Sequence, residues 1–408
     1  MIQTPRRGLP PAGRFALTAA LCSSVGQTFF IGLFGAEFRA AFDLSDAAFG
    51  TLYSTATLVS GLTMFWLGAV ADHVALRRIA VVVALVLAAG AALVASASTP
   101  LLFACGLFLL RLAGQGLLGH LAVVAAGRFA TVRRGRALAM ASYGFIVGEA
   151  LFPFAVALAL ESLGWRSVWW SLAAIAALGV APLLYLLARP LIGDPSIENA
   201  DPDIGDAETS RMAAAMPIGR GRLLVDPVFL RILAVVLVPP VVVTALFLHQ
   251  AAIAERQAWS MLAVGQAFAL FAAAQFAASF AAGRLIDRFG VRPLLRIELV
   301  PLGLAVLALG GLAPATALWV LFAGLGLTAG LNSVLAAAVW VEFYGTRQLG
   351  LVRGVYMALM VVSTALGPVA LGLLLDAGVT LWSIGVVIAA YAALVPLVAT
   401  PGRDVRRR

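Results

Sequence analysis

The sequence predicts an all-α membrane protein: twelve transmembrane helices in two pseudo-symmetric six-helix halves, with both termini cytoplasmic. Three observations predict it. Hydrophobic residues make up 62% of the 408 residues and charged ones 12%, with a mean hydropathy of +1.01, more apolar surface than a soluble chain of this length can bury. Twelve apolar runs approach or exceed the roughly 20 residues that an α-helix needs to cross about 30 Å of hydrocarbon. A short loop built on glycine, three residues and aspartate recurs at corresponding places in the two halves.

The first run, 15 to 36, follows a basic tail of residues 1 to 14. Basic then apolar also describes a signal peptide, but the run is long and further spans follow, so it reads as an uncleaved first helix. Runs 47 to 70, 78 to 96, 100 to 127, 137 to 161 and 165 to 188 complete an N-terminal half of residues 15 to 188. Trp165, Arg166, Trp169 and Trp170 mark an interfacial belt at the start of the sixth. Residues 189 to 227 form a cytoplasmic linker in which six acids from Asp194 to Glu208 lie among proline and glycine, a composition that cannot bury a core. Within it, Arg211 to Val225 fits either a plain tether or a short helix on the membrane surface. The C-terminal half, 228 to 400, holds runs 228 to 253, 259 to 283, 293 to 313, 316 to 341, 350 to 375 and 380 to 400. Pro239-Pro240 predicts a kink in the seventh run, and residues 401 to 408 form a second cytoplasmic tail.

Orientation follows from the basic residues. All 28 are arginine; 23 fall on loops that share the N-terminal side, only Arg39, Arg166 and Arg256 fall opposite, and Arg111 and Arg231 lie inside spans. The positive-inside rule therefore makes the arginine-rich side cytoplasmic. A net charge of +9 scattered over short loops facing one leaflet points to anionic lipid rather than nucleic acid. Localisation is expected to be integral and multi-pass, in a bacterial inner membrane, as a monomer. Cys22 and Cys105 both fall in spans, so no disulfide framework is implied. The chain has no HExxH, CxxC pair, Walker loop or GxSxG elbow, so no metal or other cofactor and no enzyme activity is expected.

The recurring loop reads Gly68-Ala-Val-Ala-Asp72-His73 before Arg77 and Arg78, and Gly283-Arg-Leu-Ile-Asp287-Arg288 before Gly290 and Arg292. This duplicated loop between apolar spans resembles that of the major facilitator superfamily of secondary transporters. The second copy fits that family's GxxxDRxGxR pattern; the first has His73 in place of arginine and Leu76 in place of glycine. The halves match further. Arg134-Gly135 and Arg353-Gly354 are each followed, fourteen residues after the arginine, by Gly148 and Gly367, an offset of 219 residues that lies close to the 215 between Gly68 and Gly283. In that register Glu149 stands opposite Pro368. The resemblance implies parallel halves rocking about a central site. It also implies that Gly68, Asp72, Arg77, Arg78, Gly283, Asp287, Arg288 and Arg292 latch the halves in the outward-facing state, with Glu342 as the expected partner of Arg288.

Intramembrane polar groups face a bundle interior or a watery cavity. Arg111 is the costliest, roughly 2.5–3.5 kcal/mol near mid-span, and arginine cannot escape by losing its proton. It requires an anion or a cluster of dipoles, so it is either bonded structurally or meets an anionic substrate or coupling acid. Gln115, one turn on, shares its face, and Gln27 and Asn332 are further candidate substrate contacts. Arg111-Leu-Ala-Gly114-Gln115-Gly116 also resembles the superfamily's fourth-helix motif of an arginine followed by spaced glycines. Glu149, at the matching depth of the fifth span, is the expected partner of Arg111 and the candidate proton carrier, with His249 and His120 as further proton-coupling candidates. Gly144 to Pro153 partly resembles the fifth-helix motif of drug/proton antiporters but lacks proline after the glycine, which argues against that subclass. Glu342 to Gly354 looks loosely like monocarboxylate and oxalate/formate carriers.

The expectation is secondary active transport of a small organic anion with protons. The alternatives are efflux of a hydrophobic or cationic compound and, outside transport, a membrane solute sensor.

Overall fold

The computed structural model describes residues 10–67, 74–130, 134–191, 220–345 and 348–401. Twelve long helices account for nearly all of it. They are α1 (Pro11–Gly32), α2 (Asp46–Leu67), α3 (Leu76–Ser96), α4 (Pro100–Arg128), α5 (Gly135–Ser162), α6 (Trp165–Leu191), α7 (Pro227–Leu248), α8 (Met261–Phe289), α9 (Val291–Gly311), α10 (Pro314–Tyr344), α11 (Leu349–Asp376) and α12 (Leu381–Ala399). Eleven are long and apolar enough to cross a membrane. The other, α2, spans 22 residues but carries Thr51, Ser54, Thr55, Thr57, Ser60 and Thr63. Thr51, Ser60 and Thr63 donate back to the carbonyls of Ala47, Thr57 and Val59, which satisfies these hydroxyls within the helix. Most of the expected linker, and with it most of Arg211 to Val225, lies outside the described residues; Arg220–Leu223 is a single helical turn.

Duplication is visible in detail. Short helices Gly35–Phe42 and Gln250–Gln257 continue α1 and α7, and each ends on a left-handed residue, Asp43 (φ 51°) and Ala258 (φ 53°), 215 residues apart. At the same offset the Ser45 and Ser260 hydroxyls accept the amides of Ala48 and Ala263 and open α2 and α8. In each half the third and sixth helices pack on each other, α3 on α6 and α9 on α12, and present large apolar side chains outward, such as Leu178 and Val398.

Prolines break two helices of the C-terminal half. In α7 the helix interrupts at Leu237, ahead of Pro239 and Pro240, and the Val236 carbonyl, deprived of its donor by Pro240, accepts from Asn332 Nδ2 at 3.1 Å. In α9 the helix interrupts at Glu298-Leu299, ahead of Pro301.

The halves meet along α5 with α8, α2 with α11, and α1 with α7. Glycine shows where. A Cβ on Gly372 of α11 would lie 2.6 Å from the Asp46 carbonyl, and one on Gly265 of α8 2.9 Å from Phe154 Cα. Toward the arginine-rich end the same two helices carry Gly354 and Gly283, and a Cβ there would meet nothing within 4 Å. Among the described residues, the bundle is closed at one end and parted at the arginine-rich end.

Candidate functional site

Two helices lose regular geometry where they cross. In α1, Ser24–Gly26 is a 3₁₀ turn and Gln27 is extended (φ −81°, ψ 155°); in α4, Arg111–Leu118 winds as a π-helix, a form that clusters at functional positions. Glycine permits the contact: a Cβ on Gly114 would sit 2.6 Å from Gly26 Cα. The break in α1 makes the Gly26 carbonyl available to a side chain, and Arg111 takes it. Its Nη1 donates to Gly26 O at 3.0 Å, its Nε to Thr57 Oγ1 of α2 at 3.0 Å, and its guanidinium lies 4.9 Å from the centre of the Tyr53 ring. Tyr53 is fixed in turn by Thr28, 2.5 Å from its hydroxyl. Arg111 is buried, at 4% exposure, yet it has no carboxylate partner among the described residues, and Nη2 makes no hydrogen bond to them. Gln115 is exposed beside it, and Gln27 and His120 are partly buried nearby on α1 and α4.

The expected pairing of Arg111 with Glu149 is not formed. Arg111 leans from α4 toward α1 and α2, whereas Glu149 leans from α5 toward α8 of the other half. There Gln275 is the side chain that acts on it, and one carboxylate oxygen is shut away without a donor. Gly148, beside it, lies against the Ser24 side chain of α1, which fixes the face that α5 turns to its own half and leaves Glu149 at the contact between halves. Asn332 is spent on the α7 break rather than presented beside Arg111.

A second constellation closes the end opposite the arginines. Asp46, at 4% exposure, receives Arg39 Nη1 at 3.2 Å from its own half and Arg256 Nη2 at 3.2 Å from the other. Arg39 also reaches Glu255 across the halves at 3.0 Å, and Asp376 of α11 accepts the amides of Asp46 and Ala47 at the start of α2. Gln250 Nε2 donates to the Phe29 carbonyl at 2.7 Å. Glu37, two residues before Arg39, has its carboxyl pushed above the usual range, first by burial and also by Glu255. His249 belongs to this constellation. It is buried, its Nε2 lies 2.8 Å from the Pro368 carbonyl and its Nδ1 3.7 Å from Asp46. A carbonyl only accepts, so the ring proton sits on Nε2 and any second proton on Nδ1 would face Asp46.

At the arginine-rich end, Gly68 and Asp72 lie outside the described residues. Arg77 and Arg78 open α3, partly buried and exposed respectively, and Asp287 is exposed. Arg288 and Arg292 lie over the rings of Phe289 and Phe343. The expected Glu342–Arg288 pair is absent: Glu342 accepts the Val291 amide at 3.0 Å, because Gly290 (φ 75°) turns the free N-terminus of α9 toward it. Gly283, expected to be part of the latch, faces open space. Among the described residues the ion pairs between the halves lie at the opposite end, and Glu149 with Gln275 is the polar contact between halves nearer mid-bundle.

Sequence reasoning missed Asp46, Arg39, Arg256 and Glu255 as a unit, and it missed Glu298, which is fully buried. The four opposite-end charges come from segments about 210 residues apart and read singly as loop charges. The one available signal was that two of the three arginines on the sparse side stand a few residues before the second and eighth spans.

The sequence model of the Major Facilitator Superfamily matches residues 16–251 and 241–407. Among solved structures, the nucleoside transporter NupG superposes with a TM-score of 0.68 at 14% identity, covering 95% of this chain and 98% of that one. A bacterial homologue of the human lysosomal transporter Spinster, inward-facing and occupied, gives 0.68 at 16% identity over 98% and 100%. The inward-open xylose transporter XylE of E. coli gives 0.66 at 14% over 95% and 94%. At such identities the likeness is one of fold. No curated protein sequence matches the chain.

Proposed function

The chain belongs to the Major Facilitator Superfamily, and on that premise we propose that it carries a small organic anion together with protons. It is an integral, multi-pass membrane protein, and alternating access between its halves is the mechanism of a secondary transporter on this fold. The observation that carries the anion reading is Arg111: a permanent charge, buried at mid-bundle, held by a carbonyl, a hydroxyl and a ring, and neutralised by no acid among the described residues. Those three partners satisfy its geometry but not its charge, and Nη2 is left to bind. A carboxylate entering between the halves would supply the missing charge and a strong charge-assisted bond, with Gln115 and Gln27 offering neutral hydrogen bonds beside it.

Glu149 supports proton coupling by its position. It stands where α5 meets α8, so the environment of its carboxyl changes whenever the halves rock, and a proton held in one state can be released in the other. A membrane potential of 100 mV contributes about 2.3 kcal/mol per charge moved, an adequate source. If the arginine-rich end is cytoplasmic, the state described is the inward-facing one.

The test is a thermal-shift screen of purified protein against small carboxylates, sugars, amino acids and lipophilic cations, run beside Arg111→Gln. A ligand that binds the native state raises its melting temperature by mass action. A carboxylate that stabilises wild type and not the variant supports the reading. Stabilisation by cations alone, or an unchanged response in the variant, moves the assignment to efflux and leaves Arg111 a structural residue.

A further inference from the structure

The second buried charge that the fold isolates is an acid. Glu298 has no exposed surface, and neither of its carboxylate oxygens has a hydrogen-bond partner among the described residues. It sits in the interruption of α9 that precedes Pro301, a residue whose missing amide also leaves the Ile297 carbonyl without its helical donor. A broken transmembrane helix beside an isolated carboxyl is an arrangement that binds small cations or protons. We propose that Glu298 is a second proton-binding site, enclosed within the C-terminal half and separate from Glu149 at the contact between halves.

Its neighbours decide between a proton and a metal ion. Asn332 of α10 is the side chain that acts on the carboxyl, and its amide nitrogen already donates to the α7 break. Tyr356 of α11 feels the Glu298 charge and brings a hydroxyl. A metal ion needs several oxygen ligands together, and the described residues contain no cluster of acids, histidines or cysteines to hold one. A proton needs only the carboxyl.

The charges on the packed helices do not neutralise it. Arg353, on α11 a turn before Tyr356, acts on that tyrosine, and Arg231 of α7 is exposed. Tyr391 of α12 donates to the Ala234 carbonyl, and Glu342 of α10 is spent on the Val291 amide. On the turns leading into the site, Asp287, Arg288 and Arg296 are exposed and Arg292 lies over Phe343. An ionised carboxylate without a partner is strongly disfavoured in such surroundings, and the neutral acid is the form the site accommodates. The claim that this proton is exchanged during transport rests on the proton-coupled reading; the claim that the site holds one does not.

Infrared spectroscopy of the protein in lipid separates the two. At neutral pH, wild type is expected to show the carbonyl band of a buried protonated carboxylic acid, lost in Glu298→Gln and kept in Glu149→Gln. A spectrum in which Glu298→Gln removes no acid band overturns the inference, and does so whatever Glu149→Gln shows. Loss of the Glu298 band when sodium is added at constant pH also overturns it, in favour of a cation site. Should Glu298→Gln not fold, Asn332→Leu keeps the acid and removes the polar side chain that acts on it; a shifted band supports the assignment and an unshifted one rejects it.

Discussion

At the end opposite the arginines, one buried carboxylate, Asp46, holds an arginine from each half, and Gly372 and Gly265 let backbone meet backbone. At the arginine-rich end the same two helices, α11 and α8, carry Gly354 and Gly283 with no neighbour within 4 Å, and the acids and arginines described there bond within their own half. The ends therefore differ in kind as well as in distance. One is a seam made of complementary parts joined across the halves, whereas at the other the arginines outnumber the acids and Glu342 and Asp226 are held within their own half. A carrier that alternates must exchange one condition for the other, so the energy of the closed seam sets how much a bound solute and proton must contribute to open it.

The largest way to break that difference is to remove the shared acid. Asp46→Asn leaves Arg256 without its carboxylate and Arg39 with Glu255 alone, and because both arginines are partly exposed the cost is about 2–3 kcal/mol, below that of a fully buried pair. The loss falls on the closed seam, so the population is expected to move by at least about tenfold toward a state open at that end. Spin labels at Ser98 and Ala315, one on each half at the opposite end, read it in a chain with Cys22 and Cys105 replaced. A longer distance should dominate in Asp46→Asn; an unaltered distribution would mean that the seam is held by packing alone.

A middle-sized test uses one helix against itself. In Gly372→Val the new side chain meets the Asp46 carbonyl and Ala47 Cα, both backbone, so nothing flexible gives way, and a penalty of about 1–3 kcal/mol is expected on the closed seam. Gly354→Val, eighteen residues earlier on the same helix, has open space and should change stability by no more than about 0.5 kcal/mol. Thermal unfolding of the two variants in the same detergent decides it. Equal effects would show that α11 is packed alike at both ends.

How much of this could be read from residues alone depends on whether the physics was local. The twelve apolar runs, the offset of 215 residues and the cost of Arg111 are properties of short windows, and each was legible. The partners of Arg111 were not. A carbonyl made available by a 3₁₀ turn in α1 carries no residue signature, and Gly26 looks like any other glycine until Gly114 is set against it. Depth along a helix put Glu149 level with Arg111, but depth says nothing of direction, and the two point to different neighbours. Glu298 lies near the charged start of its span by counting, and becomes buried because α7, α10 and α12 pack against α9 around its break. Charge networks joined across 210 residues, such as Arg256 with Asp46, are invisible for the same reason. Membrane topology is written in windows, and the gate is written in contacts.

The smallest effect sharpens the comparison from the parted end. Glu342 is exposed and accepts the Val291 amide at the start of α9, a cap that also favours negative charge at a helix N-terminus. Glu342→Gln weakens the acceptor and removes that charge, which should lower stability by roughly 0.3–1 kcal/mol. Both groups belong to the C-terminal half, and the bond crosses no seam. The expected result is therefore a small drop in melting temperature with the Ser98–Ala315 distances unmoved. If those distances shift in Glu342→Gln, the arginine-rich end is already coupled to the closed seam, and the two ends cannot be treated as separate devices.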